Sequence, residues 1–345
     1  MGLPKESKIP FTRKYQCGPT NQITDVKGVS VGHVTIDHPE KDVHTGVTAI
    51  LPHQGSLFQE KVMAGVSVIN GFGKSAGLVQ VEELGTIESP IVMTNTLSVG
   101  TALTASVKYM LARNEDIGVK TGTVNCVVTE CNDGSLSDIR GLYVTEQDVF
   151  DALENAELAG TEKTGFAEGA VGAGRGMKCM GLKGGIGSAS RIIPCDGCDY
   201  TLGALVLSNF GVKGNLRIDG HLIGMGREYT EEKGSIIILL ATDIPLSERQ
   251  LKRVAKRATV GLARTGSYLG NGSGDIAIAF TTANKIPHYA ESDILDMKMF
   301  ADAAIDKVFE ATAEAVEEAV ISSLWHAEGM TGIRGKEVKG LQEIL

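Results

Sequence analysis

Ser235 stands where a single residue could supply both a nucleophile and its base. It follows Gly234 and opens the aliphatic run Ile236-Ile237-Ile238-Leu239-Leu240. An apolar run without alternation has the pattern of a strand buried on both faces. The Gly-Ser step therefore lies at a rigid, water-poor boundary. Were the Gly234–Ser235 bond cut, Ser235 would carry a hydroxyl and a free α-amine, the arrangement of an N-terminal nucleophile. An α-amine titrates near ~8 and is partly neutral at pH 7, so it can take the hydroxyl proton. Residue type alone does not select this serine. Gly-Ser also occurs at Gly55-Ser56, Gly134-Ser135, Gly187-Ser188, Gly266-Ser267 and Gly272-Ser273, and the step is ordinary turn chemistry. The strand behind Ser235 sets it apart.

A covalent serine mechanism also needs donors for the oxyanion and a group to orient the amine. Asn209 follows an apolar run and precedes Phe210-Gly211, so it can present an amide at a strand end for the oxyanion. Ser273 and Asp275 are two apart, so on an extended chain they point the same way. A hydroxyl and a carboxylate on one face can bind and orient an ammonium. Near Asn132-Asp133-Gly134-Ser135, a turn sequence, Glu130 and Asp133 are the acids to meet the ammonium of a substrate, and Ser135 is a further pocket-wall residue. Each of these also fits a plain loop or cap. Cys195-Asp196-Gly197-Cys198 is a lone C-x-x-C around a hairpin-like Asp-Gly. With no second ligand pair, the six cysteines and the dispersed histidines, His33 and His44 among them, are expected to be structural. Gly172-Ala173-Gly174-Arg175-Gly176 lacks the dinucleotide spacing and is not followed at once by an amphipathic helix. No metal and no cofactor is expected.

The elements that must hold these residues are short strands, glycine-rich turns and a few long helices. Strands are expected at 47–51, 66–69, 123–130, 202–207 and 276–280. Helices are expected at 101–113, at 145–156 behind a Thr145…Asp148 cap, at 247–264 behind a Ser247…Gln250 capping box, and at 302–326. The longest presents Ile305, Val308, Phe309, Val316, Ala319 and Val320 inward; residues 1–20 form an arm. With 345 residues, 42% hydrophobic but 5% aromatic, and 43 glycines, tight layers are expected, and no composition shift marks a linker. We expect one domain, 1–345, of two sheets covered by helices. A net charge of −9 with a pI near 5.4 excludes a nucleic-acid partner. No apolar stretch has the ~20 residues of a membrane span. Residues 1–15 are charged, without the apolar core of a secretory signal, so the default compartment is the cytoplasm.

Ordered blocks run from about residue 20 to residue 335: Asn21-Gln22-Ile23-Thr24-Asp25-Val26, Val31-Gly32-His33, 44–52, Asn95-Thr96-Leu97-Ser98-Val99-Gly100, Asn132-Asp133-Gly134, Lys183-Gly184-Gly185-Ile186-Gly187, Ser208-Asn209-Phe210-Gly211, the Gly234-Ser235 step and 270–275. Together they resemble the self-processing D-aminopeptidase/β-peptidyl aminopeptidase family, the L-aminopeptidase/D-esterase group. The resemblance implies an α/β fold, an αββα four-layer sandwich of the N-terminal-nucleophile type shared with ornithine acetyltransferases. It implies self-cleavage between Gly234 and Ser235 into chains 1–234 and 235–345, with Ser235 as nucleophile. Asn209 would serve the oxyanion hole, and Ser273 with Asp275 would stand beside the nucleophile. Some relatives carry glutamate at the Asp275 position and a larger residue such as tyrosine at that of Ser135. The implied activity is release of small N-terminal residues from peptides, amides or esters, by a homo-oligomer, a tetramer of processed units. Two alternatives stay open: an ornithine-acetyltransferase-like acyltransferase, whose usual threonine nucleophile Ser235 replaces, and a family member that never cleaves and acts as a binding protein.

Overall fold

The computed structural model describes residue 9 and residues 11–223 and 231–345. Ser30–His38 (β1) and Val43–Leu51 (β2) form a hairpin, and Glu60–Gly71 (β3), Leu78–Leu84 (α1) and Thr86–Ile87 (β4) follow. Next come Ile91–Asn95 (β5), Val99–Arg113 (α2), Val127–Cys131 (β6) and Glu146–Glu162 (α3). A glycine-rich stretch carries the short ladder Lys178–Cys179 (β7) and Leu182–Lys183 (β8), then the hairpin Ile186–Cys195 (β9) and Cys198–Asn209 (β10). Arg217–Ile218 (β11) pairs with His221–Leu222 (β12); Lys233–Thr242 (β13), Glu248–Arg264 (α4), Gly272–Pro287 (β14) and Asp306–Trp325 (α5) complete the main body.

The strands form two sheets, one ordered β1-β2-β5-β6 and one ordered β4-β3-β14-β13-β10-β9. Helices α2 and α3 pack on the first sheet, and α4 and α5 on the second. The result is the expected αββα sandwich. The aliphatic run explains the layering. Ile236, Ile238 and Leu240 of β13 pack with α4 and α5. Ile237, Leu239 and Ala241 point the other way, into the core between the sheets. The two-residue period of a strand thus feeds two cores from one sequence.

Glycines set the distance between layers. A Cβ on Gly32 of β1 would lie 2.3 Å from the Ala156 nitrogen of α3, and one on Gly187 of β9 would lie 2.1 Å from the Ala319 carbonyl oxygen of α5. Helix backbones therefore touch strand backbones, and few aromatic side chains are needed as filler. The expected helices are present, and Thr145 and Ser247 form their capping boxes. Residues 123–126 lie outside the strand expected there, and β14 is longer than the sequence pattern indicated. Helix α5 starts at Asp306 after a separate turn at Asp302–Ala304. Of the expected arm, Arg13, Lys14 and Tyr15 lie on α5, where Arg13 pairs with Glu318 and Lys14 and Tyr15 with Glu310, and Gln16 reaches β9 by accepting from the Ile192 N–H. Residues 1–8 and 10 lie outside the described residues. No helix among the described residues is long and apolar enough to cross a membrane.

Candidate active site

Sheet register brings the expected nucleophile and its neighbours together. Ser235, near the start of β13, is paired with Asn209 at the end of antiparallel β10 and with Gly274 on parallel β14. Ser235 is 5% exposed. Its Oγ donates to the carbonyl oxygen of Gly234 at 2.6 Å, so the hydroxyl lies against the carbonyl of the bond it would cut. Gly234 has φ +125°, and a Cβ there would come within 2.0 Å of the Asn209 carbonyl oxygen. Only glycine fits that backbone and that space. Gly274 keeps the other flank open, since a Cβ on it would lie 3.1 Å from Ser235 Oγ.

Asn209 is held from both ends of its amide. Its Oδ1 accepts from the Lys178 backbone N–H at 3.0 Å, and its Nδ2 donates to the Asn132 carbonyl at 2.9 Å. An amide nitrogen has two hydrogens, so one remains to donate. Ser273 and Asp275 flank Gly274 on β14. Ser273 Oγ donates to Asp275 Oδ1 at 2.5 Å, and both residues are buried. The other carboxyl oxygen, Oδ2, has no hydrogen-bond partner among the described residues. Burial pushes the Asp275 carboxyl up to about 6, opposed by the Ser273 bond.

The edge strand of the other sheet supplies the opposite wall. Glu130, near the end of β6, accepts from the Lys74 backbone N–H at 2.8 Å and from the Thr96 hydroxyl. A cavity of about 970 Å³ is lined by Phe72, Glu130, Ser135, Asn209 and Ser235, among others. The Ser135 hydroxyl is buried without a hydrogen-bond partner among the described residues. Asp133, expected beside Glu130 at the mouth, is instead fully buried and does not line this cavity. Burial raises its carboxyl to about 7, and its backbone oxygen anchors the turn by accepting from Leu136 and Ser137 N–H. Glu130 is still within β6, whereas Asp133 lies past its end, opens the turn and packs its side chain against Gly176. Lys183 is fully buried, and its ammonium donates to the Gly174, Met177 and Gly184 carbonyls. It fixes the loop on which β7 sits.

Sequence reading missed Phe72, Thr96 and Lys178 in this wall. Thr96 lies in the 95–100 block, and its hydroxyl contact to Glu130 has no separate sign in the sequence. Lys178 is brought in by the β7–β8 turn, which no local pattern announced. Gly172–Gly174 forms a single turn packed on β2 and not a nucleotide loop. The turn between Cys195 and Cys198 closes the β9–β10 hairpin, and the cysteines are unbridged. His33 meets the Thr48 hydroxyl at 2.9 Å, and His44 meets Asp37 at 2.6 Å. Among the described residues, no group of three or more His, Cys, Asp or Glu is placed to hold a metal.

The model of peptidase family S58 matches residues 21–338. The β-peptidyl aminopeptidase BapA of Sphingosinicella microcystinivorans is 36% identical over 359 residues, covering 96% of this chain and 88% of that protein. A solved structure of a Pyrococcus horikoshii OT3 protein is similar at TM-score 0.89 and 52% identity, covering 97% of this chain and 95% of its own. The L-aminopeptidase D-Ala-esterase/amidase of Ochrobactrum anthropi, a serine aminopeptidase described as a variant of the Ntn hydrolase fold, is similar at TM-score 0.87 and 40% identity, covering 97% of this chain and 94% of its own. Both sheets lie wholly within the family match, and the chain belongs to peptidase family S58.

Proposed function

We propose that this chain is a serine aminopeptidase that makes its own active site by cutting between Gly234 and Ser235. The observation that carries this reading is the Ser235 hydroxyl, 2.6 Å from the oxygen of its own preceding carbonyl, at a glycine with φ +125°. In the first step Ser235 Oγ attacks the Gly234 carbonyl carbon. The peptide nitrogen takes a proton and leaves, giving an ester between Gly234 and Ser235 Oγ. Water hydrolyses that ester, releasing the Gly234 carboxylate and returning the Ser235 hydroxyl beside the α-amine freed in the first step. The products are chains 1–234 and 235–345, which remain one folded unit because β13 is paired on both sides by strands, β10 from the first chain and β14 from the second.

In turnover the α-amine accepts the Oγ proton as Oγ attacks the acyl carbonyl of a substrate. The free hydrogen of Asn209 Nδ2 stabilises the oxyanion, a contribution of roughly 3–4 kcal/mol for one well-placed donor. The leaving amine takes the proton, and water then frees the acyl group. The Ser273–Asp275 pair orients the new α-amine, and Asp275 Oδ2 is the acceptor left over for it. Glu130 meets the ammonium of the substrate, and Ser135 contacts its side chain. The substrates are short peptides, amides or esters with a free amino terminus. The relatives' names support this class, one a β-peptidyl aminopeptidase and one an L-aminopeptidase and D-Ala-esterase/amidase.

Ser235→Ala is expected to abolish both cleavage and hydrolysis of an amino-acid p-nitroanilide. N-acetylation of a good substrate is expected to remove most of kcat/KM, because Glu130 loses its ionic partner. Wild-type turnover by Ser235→Ala, or equal turnover of the acetylated substrate, contradicts the assignment. We also propose a homo-oligomer, a tetramer, with Ile294 and Met299 in its contacts, since these side chains are 81% and 68% exposed. Light scattering should give about four times the 36.4 kDa chain mass; a monomer contradicts it.

A further inference from the structure

The cavity is charged unevenly across the nucleophile. The strand order places β14 and β3 on one side of β13 and β10 on the other. Glu130 is fixed from the β3 side, through the Lys74 backbone that follows β3. Lys178 is fixed from the β10 side, through its own N–H bond to Asn209. Four lysines line the cavity, Lys74, Lys178, Lys213 and Lys233, in a chain of net charge −9. Two are already engaged: the Lys74 ammonium lies 4.5 Å over the Phe72 ring, and Lys233 pairs with Glu231 at 2.8 Å. Lys178 and Lys213 have no carboxylate partner among the described residues. Both line the same cavity, and Gly181, in the turn that follows Lys178, lies directly against the Lys213 side chain; a Cβ on it would come within 2.4 Å of Lys213 Cβ. Lys178 is half-buried, and burial, with the nearby positive Lys336, lowers its ammonium below the ordinary lysine range. A half-buried cation without a carboxylate partner, such as Lys178, is costly until an anion arrives, and the exposed Lys213 on the same wall adds a second positive charge to the cavity.

We propose that Lys178 and Lys213 form a carboxylate-binding subsite on the leaving-group side of Ser235, which makes the enzyme selective for dipeptides with a free C-terminal carboxylate. This rests on the aminopeptidase reading above. Glu130 takes the α-ammonium of the residue to be released. The scissile carbonyl sits at Ser235 and Asn209. The carboxylate of the departing amino acid, one residue further on, meets the two lysines. A zwitterionic dipeptide thus matches the charge at both ends of the cavity. A longer peptide would carry a neutral amide where the lysines expect an anion.

The test uses the processed wild-type enzyme and the N-terminal residue X whose p-nitroanilide it cleaves fastest. It compares kcat/KM for X-Ala with that for X-Ala-amide, which lacks only the carboxylate. The free acid is expected to be better by about fivefold or more, chiefly through KM, as for one partly exposed ion pair. The ratio should fall in 0.5 M NaCl, since salt screens exposed charge. It should approach one in Lys178→Met and drop in Lys213→Met. Equal kcat/KM for acid and amide in the wild type overturns the subsite. So does a preference that survives both substitutions. Should Lys178→Met fail to fold, the exposed Lys213→Met protein and the salt series decide, and an unchanged ratio in both overturns the proposal. Failure to cleave any amino-acid p-nitroanilide sinks the aminopeptidase reading itself, whereas cleavage with equal acid and amide rates removes only the subsite.

Discussion

Asp275 is the residue at which processing should leave a physical trace. In the uncut chain its Oδ2 has no hydrogen-bond partner among the described residues and burial holds the carboxyl near 6. An unfolded aspartate releases its proton near ~3.9. Between those values Asp275 holds more proton in the folded chain than in the unfolded one, so its contribution to stability falls as pH rises from about 4 to about 6. The loss is on the order of 3 kcal/mol for a shift of this size. In uncut Ser235→Ala protein, adding Asp275→Asn should flatten that decline, read as urea-unfolding free energies between pH 4.5 and pH 7. Parallel pH profiles for the single and double variants would show that Asp275 is not destabilised by ionisation. In the processed enzyme the proposed α-ammonium supplies the missing partner, and the decline should shrink there as well. The chemistry of this pair was legible in the sequence because residues two apart on a strand share a face. Lys178 was not legible, since a lysine in a two-residue strand looks like any exposed charge until Asn209 is seen to hold its backbone.

Element packing depends on positions where a side chain is absent. A Cβ on Gly187 would lie 2.1 Å from the Ala319 oxygen of α5, and neither backbone can give way without moving a layer. Gly187→Val is therefore expected to cost more than about 3 kcal/mol, beyond ordinary overpacking, and to leave little soluble protein. Gly197→Ala is the control. That turn glycine has φ +80° but open space around it, so the cost should be about 1–2 kcal/mol from the left-handed backbone alone. Thermal unfolding of both variants checks this; equal, small losses would mean that α5 does not lie directly on β9. The sequence showed that glycine was abundant without showing which glycines face helices. Helix α5 carries the same lesson. Its apolar stripe marked one buried face, yet Glu314 and Glu318 are buried too, because Arg191 from β9 and Arg13 from the arm pair with them. Partners separated by more than 100 residues leave no local pattern, and the cost of burying such ions is met only by the assembled network.

For the whole molecule, one sheet unites the proposed two chains. The cut at Gly234 would fall at the entrance to β13, and β10 and β14 would then hold the new terminus in register from either side. The β13 run, apolar on both faces, marked one buried strand. The layered fold could be anticipated from glycine-rich strands with long amphipathic helices, which fit two sheets covered by helices, and from the family resemblance, which implied the αββα order. The placement of Glu130 and the lysines around the cavity could not, because it depends on how the edge of one sheet meets the end of the other. The central claim is that this fold turns the Gly234–Ser235 bond into its own substrate. Intact-mass analysis of the purified protein, incubated near neutral pH beside Ser235→Ala, tests it most directly. The account predicts fragments of 234 and 111 residues, the latter from 345 less 234, in the wild type and an uncut chain in the variant; a wild-type chain that stays whole, or a cut at any other bond, would contradict it.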